Sequence, residues 1–155
     1  MDALFQWAEG TSLAQFIARS AAVTGLLSGV HLVGLTLVVG GALVSSLRLL
    51  GIAFAEWPVR DVTGTMDRGM TLGMSLSVAT GALLVSPRIS SASGNGIFQL
   101  KMLLLAAAAG FYFAVYRPVM RGAEAGPVAR RATGAAGLVL WLGVALAGCA
   151  FILLE

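Results

Sequence analysis

Charge is what this chain has least of. Only 11% of its 155 residues are Asp, Glu, Lys or Arg, against about 25% in soluble domains. Its one cysteine, Cys149, excludes an internal disulfide and a C-x-x-C-H haem attachment, and is expected to be a small packing residue. There is no phosphate loop, no paired-carboxylate site, no nucleophile constellation and no H-E-x-x-H. No alternating ten-residue pattern suggests a membrane barrel. The carboxylates Asp2, Glu9, Glu56, Asp61, Asp67, Glu124 and Glu155 all fall outside the long apolar stretches. No intramembrane carboxylate relay is expected.

Apolar sequence fills the space that charge leaves. Hydrophobic residues make up 58%, and the mean hydropathy is +0.91. Four stretches, 21–44, 69–85, 100–115 and 134–154, carry no charge except Lys101. Each approaches the roughly 17–25 residues that cross a hydrocarbon core. Lipid cannot satisfy backbone polar groups, so the spans must be helices. The expectation is an all-α integral membrane four-helix bundle forming one domain over 1–155, with helices at about 21–50, 68–86, 98–117 and 132–154.

The cations are divided unequally between the two sides. Arg48, Arg60, Arg68, Arg117, Arg121, Arg130 and Arg131 flank the first-to-second and third-to-fourth connections, against Arg19, Arg88 and Lys101 opposite. That bias places both termini outward. The net charge of +3 needs no nucleic acid to explain it. Residues 1–20 lack the basic start and apolar run of a cleavable signal. Leu4, Phe5 and Trp7, then Leu13, Phe16 and Ile17, instead recur at helical spacing. They predict one or two amphipathic helices at the interface, with Thr11 or Ser12 as an N-cap. Pro58 breaks the first connection, Ser86-Pro87-Arg88 ends the second helix, 90–96 reads as an exposed loop and 122–126 as a turn.

Small residues indicate how the helices pack. Gly25 and Gly29, the stripe Gly69, Gly73, Ser77 and Gly81, and Gly143 with Ala147 all repeat at four-residue spacing, which permits close backbone approach. Met66, Met70 and Met74 share that spacing. Thioethers suit Cu(I), but a core stripe accounts for them as well.

His31 is the leading candidate for chemistry. It is the only histidine, it stands in the most hydrophobic stretch, and an ionisable group at membrane depth is expensive. Thr24, Ser28 and His31 share one helical face. Lys101 reaches a similar depth on the third helix, and Tyr112, eleven residues later, shares the Lys101 face. His31, Lys101, Ser28, Thr24 and Tyr112 form the candidate cofactor site, with His31 as the metal ligand. The plainer alternative is a snorkelling lysine and a histidine bonded to a neighbouring helix.

Ser28-Gly29-Val30-His31-Leu32-Val33-Gly34, Ser46-Leu47-Arg48-Leu49-Leu50-Gly51, Phe98-Gln99-Leu100-Lys101 and Trp141-Leu142-Gly143 resemble an uncharacterised family of small bacterial four-helix membrane proteins over nearly the whole chain. A more distant similarity runs to the HemJ-type protoporphyrinogen oxidases and the copper-resistance D membrane proteins. The resemblance implies a bacterial inner-membrane location and, from the oxidases, haem b at His31 with Lys101 matching their lysine. Three functions are carried forward. They are a b-type haem or redox protein, a cofactor-free accessory subunit that self-associates or joins a membrane complex, and an oxidase of a porphyrin- or quinone-like molecule.

Overall fold

A computed structural model describes residues 2–121 and 125–153. Two short helices, α1 (Asp2–Glu9) and α2 (Ser12–Arg19), precede the long α3 (Ala21–Leu50) and α4 (Val59–Val85). A 3-10 turn (Ser86–Arg88) and α5 (Ile89–Gly94) lead to α6 (Gly96–Phe111). A π-helical turn (Tyr112–Tyr116) joins α6 to α7 (Arg117–Met120), and α8 (Pro127–Leu153) completes the chain. Four helical stretches are long and apolar enough to cross a membrane. Leu26, Leu72, Leu103, Val139 and Leu146 are exposed, as lipid-facing positions must be. The fold is all-α, as expected, and the protein is a multi-pass membrane protein.

Local chemistry sets the helix ends. Thr11 caps α2 by accepting from Ala14 N (3.3 Å), and Ser20 caps α3 by accepting from Val23 N (3.3 Å). Asn95 caps α6 through Ile97 N at 2.8 Å. Such caps satisfy amides that a helix start leaves unpaired. At the far end of α3, Gly51 takes φ 77° and Ile52 N donates to Leu47 O at 3.0 Å, a left-handed terminus that glycine accommodates without strain. Arg48 then ties down the connection, donating to Trp57 O from Nε and Nη2 at 2.9 and 2.6 Å.

Three helices extend beyond the apolar stretches. The second begins at Val59, the third at Gly96 and the fourth at Pro127, because hydrogen bonding continues into charged turns once Pro58 or Asn95 has set the start. Residues 90–96 are not an open loop. Most of them form α5, where Ser90 N donates to the Glu9 carboxylate at 2.8 Å and Ala92 is buried. Of the turn expected at 122–126, residues 122–124 lie outside the described residues.

Helix α3 is central, packing on α4 and α8, while α6 packs on α8. The α3–α4 contact is a backbone crossing. A Cβ on Gly73 would stand 2.5 Å from Gly34 O, and one on Gly34 would stand 2.8 Å from Gly73 O. Met70 lies over Gly41, and the Tyr116 ring occupies the notch at Gly137 of α8. The stripe Gly73, Ser77 and Gly81 therefore packs as expected. Gly25, Gly29 and Gly69 do not, since a Cβ on any of them would meet nothing within 4 Å. Four-residue spacing marks a face, and only the facing helix decides whether that face is used. Gly73→Val should lower stability in detergent by about 1–3 kcal/mol through overpacking, whereas Gly25→Ala should be neutral or slightly stabilising. Thermal unfolding followed by circular dichroism distinguishes the two.

Candidate functional site

His31 is half-buried on α3 and faces α4. Its Nδ1 lies 3.1 Å from Thr80 Oγ1. The Thr80 hydroxyl donates to Leu76 O at 2.6 Å, so its proton is committed and its oxygen is left to accept. The Nδ1–H tautomer satisfies both contacts by donating to that oxygen, and in that tautomer the Nε2 lone pair is available. Gly81 gives the ring its space, since a Cβ there would stand 3.1 Å from His31 Cε1. Ser77 Oγ donates to His31 O at 3.4 Å, fixing the same turn of α3.

Lys101 enters from the first turns of α6 and lies alongside α8, where a Cβ on Gly148 would stand 3.7 Å from its Nζ. His31, Leu32 and Lys101 line two adjoining spaces. One is a cleft of about 570 Å³ whose wall includes Thr24, Ser28, Gly81, Arg88 and Phe98. The other is a smaller apolar cavity of about 90 Å³, reaching Met74, Trp141 and Cys149. Leu32 and Val78 are exposed and line the small cavity, so its mouth faces acyl chains. Cys149 is exposed there rather than packed in the core.

Four of the five candidate residues thus share the cleft, with differing freedom. Thr24 Oγ1 donates to Ile17 O at 2.9 Å, fastening α2 to α3. Tyr112 does not join them. It lies on the Lys101 face, but eleven residues of helix carry it about 16 Å further along. There it is fully buried and its hydroxyl donates to Asp67 Oδ1 at 2.6 Å. Met70 and Met74 are buried among core side chains, the position expected of a packing stripe.

The Asp67 cluster is a polar centre that the sequence left unremarked. Asp67, expected outside the membrane spans, is only 2% exposed. Its Oδ1 also accepts from Arg117 Nε at 3.0 Å, and its Oδ2 accepts from Arg121 Nε and Nη2 at 2.9 and 2.7 Å. Thr71 Oγ1 lies 3.1 Å from the Tyr112 hydroxyl. Nearby, Thr63 Oγ1 donates to Met120 O, and Tyr116 OH lies 2.8 Å from Ser46 Oγ. Together these contacts join α4 to α7 and α3 to the π turn. The signal was a carboxylate in the charged early turns of one helix, opposite two arginines four apart at the end of another.

The fold and site define a multi-pass helical membrane protein with a threonine-bonded histidine beside a cleft and a smaller apolar cavity. The chain belongs to a family of unknown function (DUF6644), matched over residues 4–153. No curated protein and no solved structure matches it, so the likeness to the HemJ-type oxidases and copper-resistance proteins rests on the sequence pieces alone.

Asp67→Ala should cost about 3 kcal/mol, because it leaves two arginines facing a buried position without a counter-charge. Tyr112→Phe should cost about 1 kcal/mol, the net worth of one hydrogen bond. Equal unfolding temperatures for wild type and Asp67→Ala would contradict the assignment.

Proposed function

We propose that this protein is a b-type haem-binding membrane protein in which the Nε2 of His31 would hold the haem iron. The observation that carries this reading is the Thr80 bond to Nδ1. A partner on the second ring nitrogen is the usual arrangement of a metal-ligating histidine, because it fixes the tautomer and raises ligand basicity. The adjoining cleft of about 570 Å³ falls within the roughly 300–1,000 Å³ of small-molecule sites. Lys101 and Arg88 are the residues that would meet the propionates, and the apolar wall the macrocycle. Bound there through His31 as its one histidine, haem would supply redox or gas-binding chemistry.

The seven-to-three division of cations supports an orientation with the arginine-rich side cytoplasmic and both termini outside, and the resemblance to small bacterial membrane proteins supports a bacterial inner membrane. A C-terminal alkaline phosphatase fusion should then be active and a C-terminal green fluorescent protein fusion dark. The opposite pattern would invert the topology.

For haem, the purified protein should show a Soret band and a pyridine-haemochrome signal. His31→Ala should abolish both, Thr80→Val should weaken retention, and Lys101→Ala should keep most of the haem. Full haem in the His31 variant would sink the assignment. A preparation without Soret absorbance, made with ample haem supply, would leave the accessory-subunit reading. Gly25 and Gly29 favour that second reading, because a Cβ on either would meet nothing within 4 Å among the described residues, and their face could accept a helix of another subunit or a second copy.

A further inference from the structure

At the opposite end of the bundle from His31, a pocket of about 480 Å³ is lined by Arg60, Gly64, Thr65 and Arg68 of α4 and by Arg121, which follows α7. Positions 60, 64 and 68 fall four residues apart and so share one helix face. Gly64 stands between the two arginines, and a Cβ there would meet nothing within 4 Å. The result is a gap flanked by two guanidinium groups. Arg121 closes it from the facing helix. Its Nε and Nη2 hold Asp67, while its side chain stays 57% exposed, leaving donors of its five-donor fork for a second anion.

The charge balance favours an anion even with the pocket's carboxylates counted. Asp67 is already held by Arg117 and Arg121. Only Asp61 remains against Arg60 and Arg68, and neither arginine makes a hydrogen bond or ion pair among the described residues. Three arginines and a threonine lining one pocket suit phosphoryl oxygens, which accept paired N–H donors. The pocket also lies where the charged turns of α4 leave the apolar span, at the level of lipid headgroups.

We propose that Arg60, Arg68 and Arg121 form a binding site for a phosphoryl anion, supplied by the headgroup of an anionic phospholipid. The site is independent of haem. Basic pockets between membrane helices at the headgroup level recognise lipids in this way, each arginine contributing through its charge and its hydrogen bonds.

The test titrates the purified full-length protein with phosphatidylglycerol and with phosphatidylcholine, and follows bound lipid by native mass spectrometry. Arg60→Gln/Arg68→Gln removes the two exposed cations and leaves the Asp67 contacts in place. Arg130→Gln/Arg131→Gln removes the same charge from the same side and serves as the control. The expected result is phosphatidylglycerol binding roughly thirtyfold weaker in the first double variant, the loss that two arginine contacts imply, and little changed in the control. Full competition by millimolar inorganic phosphate would keep the phosphoryl site and assign it to a soluble ligand. Equal binding of phosphatidylcholine, wild-type binding by Arg60→Gln/Arg68→Gln, or an equal loss in both double variants would overturn the proposal.

Discussion

The structure depends on one carboxylate. α3 packs on α4 and α8, and α6 packs on α8, a row of helices that must still be closed into a bundle. Asp67 closes it by accepting from Tyr112, Arg117 and Arg121 at once. Membrane helices gain little from apolar burial, so polar contacts and close backbone approach take a larger share of the work. A carboxylate with this many donors is compensated despite its burial. The closure lies at the arginine-rich end, and the space beside His31 and Lys101 lies near the other.

Rigidity is distributed accordingly. Between α3 and α4 the backbones cross at Gly34 and Gly73, with a hydroxyl from Ser77 on the His31 carbonyl. His31 therefore stands on a well-fixed turn, and Thr80 orients its ring from the facing helix. Lys101 belongs to a helix held mainly by α8. The cleft thus has one wall fixed by the α3–α4 crossing and another carried on a separate helix. The cleft is also bounded by α2, which Thr24 fastens to α3, and by the 3-10 turn, just before α5, where Ser90 N donates to Glu9 of α1.

Much of this was legible in the sequence, for identifiable reasons. Hydropathy revealed the four spans because lipid imposes helices on any apolar run of that length. Depth counting brought His31 and Lys101 together because both lie in the first half of their helices, measured from the same side. Counting failed for Tyr112, where a shared face was taken for a shared cavity despite the distance along the axis. For Gly25 and Gly29 it could not say whether packing is internal or between subunits, because spacing along one helix does not reveal what stands opposite. Thr80 and Asp67 were missed because their significance is relational. Nothing in Ala79-Thr80-Gly81 indicates a histidine partner, and Asp67 resembles any charged helix start until Arg117 and Arg121 are placed across from it.

The π turn at Tyr112–Tyr116 gives the chain length a meaning of its own. A π turn contains one residue more than the α-helix around it, and one residue corresponds to about 100° of rotation. Arg117 and Arg121 reach Asp67 with that rotation already applied, while Lys101 keeps its place in the regular helix before it. The two ends of this helix are thus set in different angular registers, one for the cleft beside His31 and one for the closure. The extra residue acts as a phase adjustment, so losing one residue here would be a change of angle as much as a change of composition. Substitutions within the turn leave that phase intact, and deletions do not.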